Sequence, residues 1–292
     1  MYVRDSAAVN IRRKIQKFSH NLKRTRKVWH APVDCAILDM QTKIQYTERR
    51  TAEMKVAVDT HTHTISSGHA YNTIREMAYM ASQMGLEALA ITDHGPEMQG
   101  GPHEYHFHNM KIVPREYYGI PILLGVELNI MDENGTVDLP EWLLDQLDIT
   151  VASIHGECYG RSKGIEKNTE AYLRIMQRQD VEIIGHPDNG RFEVDYEALV
   201  DMAKQTGTLL EVNNSSLRPG GFRLNSFENA RRMLELCKKT GTMVVLGSDA
   251  HVDADIANTE YSSKLLQEVD FPEELVANIS YNRLISVLKR RR

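Results

Sequence analysis

From residue 54 onward, short apolar runs alternate with amphipathic stretches, a texture that predicts a parallel β/α architecture. Seven runs read as strands: KVAVD (55–59), EALAIT (87–92), PILLGVE (121–127), DITVASI (148–154), VEIIG (181–185), TLLEVN (208–213) and MVVLGS (243–248). They are nearly continuous in Val, Ile and Leu, so each strand is expected to be buried on both faces. Between them, 71–85, 196–207 and 226–241 read as amphipathic helices. Each of these ends on Gly, the residue that accepts the left-handed turn at a helix C-terminus.

Seven β/α units fit an open doubly wound sheet or a closed barrel, and strand periodicity does not separate them. The polar residues do. An open sheet gathers its site near one switch point, whereas a barrel brings side chains from many strand ends to one mouth. Here strand one runs into Asp59-Thr60-His61-Thr62-His63, whose i, i+2 spacing sends both imidazoles to one side of an extended segment. Later strands close on Thr92-Asp93-His94, on Glu127, on His155, on His186-Pro187-Asp188, and on Asp249-Ala250-His251. The sixth ends in Glu211-Val212-Asn213-Asn214-Ser215-Ser216, a supply of hydrogen-bonding groups. A single His after a strand is commonplace, but six strand ends offering imidazole or carboxylate together point to a metal centre. Zinc, manganese and iron all accept these donors, and the lack of clustered thiolates favours a catalytic site over a structural one.

The ordered segments VDTHTHTISSGHA, ITDHGPEM, GVELNI, ASIHGE, GHPDN, EVNNSS and LGSDAH closely resemble the PHP (polymerase and histidinol phosphatase) superfamily, and more narrowly its YcdX-type phosphatase branch. The resemblance spans about residues 54–288. It implies an α/β fold, a distorted (β/α)7 TIM-like barrel, carrying three divalent metal ions, zinc first, with manganese and iron as alternatives. By motif, His61, His63, Glu127 and Asp249 would hold the first ion, and Glu127 would bridge to a second held by His155 and His186. His69, His94 and His251 would hold the third. Where the pattern expects HPGN, this chain has His186-Pro187-Asp188-Asn189, which adds a carboxylate near the mouth.

Given the three ions that the resemblance implies, charge also favours a phosphate substrate. Three divalent ions carry about +6 and the ligands Glu127 and Asp249 about −2, leaving roughly +4 at the mouth, a balance that an anion satisfies. The expected activity is hydrolysis of small phosphate monoesters, a hydrolase acting on phosphoric ester bonds, by a metal-bound hydroxide. Glu127 and Asp249 are its expected catalytic residues, with Asp249 a candidate to protonate the leaving alkoxide through its second oxygen. Asp93 is expected to orient a ligating imidazole. The segment after strand two adds His103, His106, His108 and Arg115, so seven of the twelve histidines lie between residues 61 and 108. Read as a flap over the mouth, this segment makes His106 and Arg115 candidate substrate-binding residues, with Asn213 from strand six; Arg191 and Arg218 are weaker phosphate candidates.

Composition divides the chain. Residues 1–53 carry 12 Lys and Arg against 5 Asp and Glu, a balance of +7, while 54–292 carry 23 against 35, a balance of −12. The basic segment shows no sustained period and is expected to be a disordered extension. Because Met54 opens the first strand, it is also the expected true start, making 54–292 the hydrolase domain. A nuclease that trims nucleic-acid ends is an alternative function: the acidic domain opposes it, since strand binding needs a basic track with stacking aromatics, but the basic segment 1–53 could supply such a track. Histidinol phosphate is an alternative substrate, and metal storage a non-enzymatic alternative. Three scattered cysteines, Cys35, Cys158 and Cys237, suggest inert packing residues, not a disulfide framework. With no long apolar run and no secretory leader, the expected location is the cytoplasm and no membrane partner is expected; self-association is compatible with the sequence.

Overall fold

Successive side chains of a strand point to opposite faces, and in this chain both faces are apolar. The computed structural model describes residues 55–289. In it Leu89, Ile91, Leu124, Val126, Leu210 and Leu246 face the surrounding helices in one core. Their alternates Ala88, Ala90, Leu123, Val151, Leu209 and Val245 form a second core within the barrel. This double burial is why the strands read as unbroken apolar runs.

The strands are β1 (Val58–Asp59), β2 (Ala88–Ile91), β3 (Glu116–Tyr117), β4 (Ile120–Asn129), β5 (Ile149–Ser153), β6 (Ile183–Ile184), β7 (Leu209–Asn213) and β8 (Val244–Gly247). Seven pair in parallel in the order β1-β2-β4-β5-β6-β7-β8, as the apolar runs predict. The eighth, β3, is a short antiparallel partner of β4 that sequence reading did not foresee, because two residues carry no period. The three expected helices appear as α1 (Ile74–Met84), α6 (Tyr196–Thr206) and α7 (Ser226–Thr240), each ending on a left-handed Gly. The others are α2 (Glu104–Asn109), α3 (Glu141–Leu144), α4 (Gly156–Tyr159), α5 (Ile165–Met176), α8 (Glu260–Glu268) and α9 (Tyr281–Val287). Among the described residues no helix is long and apolar enough to cross a membrane.

The barrel closes differently at its two ends. At the C-terminal mouth the chain beyond β1 bonds directly to the chain beyond β8: His63 N–H donates to Ala250 O and Asp249 N–H to His61 O, both at 2.9 Å. Toward the opposite end residues 276–278 enter the seam, with Val276 bridged to Val244. Ala57 N–H donates to Asn278 O at 2.9 Å. The buried Asn278 side chain completes the wedge, donating to Val58 O and Leu246 O at 2.7 Å and accepting from Leu246 N–H at 3.1 Å. A side-chain amide thus replaces a stretch of ladder, which accounts for the distortion. Below it, Ala277, Leu284 and Leu288 plug the barrel floor. Asn278→Ala would strand these buried backbone groups, each worth about 1–3 kcal/mol. A lower urea midpoint, corresponding to about 2–5 kcal/mol, is expected, and an unchanged midpoint would remove the wedge from the account of stability.

The expected extension at 1–53 and the expected start at Met54 lie outside the described residues, as does Cys35. Cys158 is half-buried and Cys237 buried, and burial pushes both thiols up to about 12, so neither supplies a thiolate near neutrality.

Candidate metal centre

Six strands deliver imidazole or carboxylate groups to the mouth, and Glu127 near the end of β4 is their common focus. Its Oε1 lies 3.3 Å from His61 Nε2, 3.3 Å from His155 Nε2 and 2.9 Å from His186 Nε2. Its Oε2 lies 2.7 Å from His94 Nδ1 and 3.6 Å from His63 Nε2. Asp249 approaches from beyond β8, its Oδ1 3.4 Å from His63 Nε2 and 3.8 Å from His61 Nε2. Outside this group, His69 Nε2 lies 3.3 Å from His94 Nε2 and 3.1 Å from His251 Nε2.

The surrounding residues determine which ring nitrogen faces inward. His61 Nδ1 meets Glu211 Oε1 at 2.8 Å, an acceptor, so Nδ1 carries a proton and Nε2 faces the centre; against the opposing burial, Glu211, Glu127 and Asp249 raise His61 well above the usual imidazole range, and a cation would take the place of the second proton on Nε2. His155 does the same through Asn129 Oδ1 at 2.7 Å, and His251 through the Asp249 carbonyl at 3.0 Å. For His63 the acceptor is Ser67 Oγ at 3.1 Å, whose own hydrogen goes to Asp93 Oδ1 at 2.7 Å. Asp93 also accepts from Thr64 N–H and Thr64 Oγ–H, so it orients His63 through Ser67. Four imidazoles are therefore arranged as acceptors toward one space.

Several buried atoms there, His61 Nε2, His63 Nε2, His94 Nδ1 and Glu127 Oε2, have no hydrogen-bond partner. Each buried orphan costs about 1–3 kcal/mol, and lone pairs pointed at lone pairs repel. Divalent cations satisfy such a set. Three overlapping donor groupings, which share His63, His94 and Glu127 among them, could hold an ion: His61, His63 and Glu127; His94, Glu127 and His155; and His63, His94 and His251. Burial opposes ionisation of Glu127, but His61, His155 and His94 overcome it and hold the carboxyl well below the usual range. Burial, reinforced by the Arg223 charge, lowers His186 to about 4, and burial with neighbouring His94 and His251 keeps His63 neutral. Neutral imidazole and ionised carboxylate are the metal-binding forms.

The backbone is bent to make this fit. His186 and Asp249 have φ of 29° and 57°, conformations that non-glycine residues rarely adopt. Space is cleared by Gly247, where a Cβ would collide with the Glu211 carboxylate that holds His61.

A PHP domain model matches residues 59–285. The chain belongs to the PHP domain family. It is 43% identical over 240 residues to a probable phosphatase of Caldanaerobacter subterraneus subsp. tengcongensis, covering 82% of this chain and 94% of the relative. It is 45% identical over 239 residues to a probable phosphatase of Acetivibrio thermocellus, covering 82% and 98%. These relatives place this PHP protein among phosphatase-class enzymes. The histidinol phosphate phosphatase of Lactococcus lactis, solved with zinc, L-histidinol and phosphate, shares the fold with a TM-score of 0.52 at 17% identity, over 75% of this chain and 95% of that one. A chain in the structure of archaeal ribonuclease P with mature tRNA also shares it, with a TM-score of 0.51 at 17% identity, over 80% and 90%.

The other residues singled out from the PHP sequence fare differently. Asn213, at the end of β7, is at the site but donates to Glu211 Oε2 at 3.0 Å and Asp249 Oδ2 at 3.2 Å, so it positions carboxylates. Arg115 is not at the mouth. It pairs with Asp148 at the N-terminal end of β5, the opposite end of the barrel. His106 stands 3.6 Å from Asp93 Oδ2, supporting the carboxylate that orients His63 through Ser67. His103 caps α2 and His108 packs edge-on to Trp142, so the expected flap is an ordered helix anchored by buried Phe107. Arg218 pairs with Asp255 on the surface.

Sequence reading missed Arg223. Its guanidinium donates from both Nη atoms to Asp249 Oδ2 at 3.1 Å, and from Nη1 to Asn213 Oδ1 at 3.2 Å and Ser216 Oγ at 3.1 Å. It borders the mouth cavity of about 610 Å³, which His69, His94, Asp249 and His251 also line. No local motif marks it, because it arrives on a long connection between β7 and α7.

Proposed function

We propose that this phosphatase-class enzyme hydrolyses small phosphate monoesters at a site for three divalent cations, zinc first. The observation that carries the reading is the convergence of oriented, unpartnered imidazole lone pairs on the buried Glu127 carboxylate. His61, His63, Glu127 and Asp249 would hold one ion, Glu127, His155 and His186 a second, and His69, His94 and His251 a third. Such cations supply Lewis-acid charge and make water a competent nucleophile near neutral pH.

The chain's own residues do the rest. Glu127 and Asp249 provide the anionic charge that gathers the cations, and the apolar floor keeps water from the far side. Arg223 is the cation poised to meet charge developing on the phosphoryl oxygens or the leaving oxygen. Asp249 Oδ2, expected from sequence to carry a leaving-group proton, accepts two hydrogen bonds from Arg223 and one from Asn213, an environment that favours the ionised form. Its role is accordingly to ligate and to hold Arg223 in place.

The test is a panel of monoesters that includes histidinol phosphate, phosphodiesters and single-stranded DNA, assayed with and without chelator. Monoester hydrolysis that chelation abolishes is expected, with Arg223→Met reducing kcat/KM by about 100-fold, the scale of losing one preorganised charge donor. Diester cleavage without monoester turnover would instead support the nuclease alternative.

A further inference from the structure

Beside the mouth lies a second cavity of about 300 Å³, and the two share His155, Glu157, Phe222 and Arg223 along their common wall. The annex is lined by three arginines: Arg161, Arg191 and Arg223. Only Arg223 is committed to a carboxylate, Asp249. Arg161 and Arg191 are exposed, and neither guanidinium has a carboxylate partner among the described residues. Solvated arginines are ordinary on convex surface, but here two unpaired ones border a concavity that opens onto the metal centre. Asn189 and Ser162 add neutral polar groups, and Glu157 on the shared wall is the one acidic lining residue.

We propose that this annex binds a second anionic group of the substrate, so that the preferred substrates are compact phosphate monoesters that also carry a carboxylate or a further phosphate. The inference rests on the phosphatase reading above. With the scissile phosphate at the histidine cluster, the body of the substrate crosses the wall beside Phe222, a 63% exposed aromatic whose ring lies 4.9 Å from the Arg223 guanidinium carbon. The second anion then reaches Arg161 and Arg191, whose planar forks match carboxylate and phosphate alike. A cationic body such as that of histidinol phosphate meets repulsion from the same two side chains. The cavity volumes suit a small molecule rather than a strand.

Matched pairs test this: 3-phosphoglycerate against glycerol 3-phosphate for a carboxylate, and fructose 1,6-bisphosphate against fructose 6-phosphate for a phosphate. In the metal-loaded full-length enzyme the doubly anionic member of at least one pair is expected to be preferred by about 10–100-fold in kcat/KM, mostly through KM. The pair that shows the preference identifies the group the annex takes. Arg161→Ala combined with Arg191→Ala should bring that ratio close to one, whereas Arg75→Ala, an exposed arginine on α1, should preserve it. No preference in either pair would overturn the proposal, as would a preference that survives the double substitution. An equal loss for both members of a pair would also overturn it, by placing these arginines on the scissile phosphate. If no monoester at all is hydrolysed, the phosphatase reading itself fails, an outcome distinct from hydrolysis without preference.

Discussion

Glu127→Gln is expected to lower phosphatase kcat/KM by about 10³-fold or more and to deplete bound metal in the purified protein. The substitution keeps shape and volume, and the Ser153 hydroxyl that donates to Oε1 at 2.6 Å can still donate to an amide oxygen. What it removes is the one negative charge shared by five imidazoles, from His61, His63, His94, His155 and His186. It also turns an N–H₂ group toward nitrogen lone pairs oriented for a cation. Loss of a bridging carboxylate thus affects two of the proposed ion positions together. Metal content by mass spectrometry and initial rates on a chromogenic monoester check this. A variant retaining more than a tenth of wild-type activity with full metal content would show that Glu127 is dispensable.

Removing the metal by chelation should lower the melting temperature by about 8–16 °C. Cations bound only by the native state at about a thousand times their dissociation constant stabilise it by about 4 kcal/mol. For a chain of this size each kcal/mol moves the midpoint by about 2–4 °C. The structural basis is the set of buried lone pairs without hydrogen-bond partners, which includes both His61 and His63 Nε2. Scanning calorimetry before and after dialysis against chelator, with zinc added back, measures the shift. A midpoint that stays put while the metal is lost would mean that the cluster is tolerated without a cation.

Much of the fold was legible because parallel strands buried on both faces impose a local and redundant apolar pattern. All seven parallel strands lie within the predicted runs or, for β4, extend one to two residues past them. The misses share a cause. Residues 276–278 act through one side-chain amide inserted between strands more than two hundred positions apart in the case of β1, and nothing in the local pattern marks such a wedge. The antiparallel β3 is too short to show a period. Arg115 and Arg223 illustrate the same limit from the other side. Both are arginines in connections, and only the placement of Asp148 at one end of the barrel and Asp249 at the other assigns them different tasks.

By itself the sequence determined the order of the β/α units, the residues at each strand end that can bind a cation, and the membership in a family that those motifs signal. These are consequences of short-range spacing. Tertiary structure decided which imidazole nitrogen faces the centre, through Glu211, Ser67, Asn129 and the Asp249 carbonyl. It also decided that Arg223, not Arg115, stands at the mouth, and that an asparagine near the C-terminal end seals the seam. Each of these depends on a hydrogen bond or ion pair between segments distant in sequence, whose partners become neighbours only when the barrel closes.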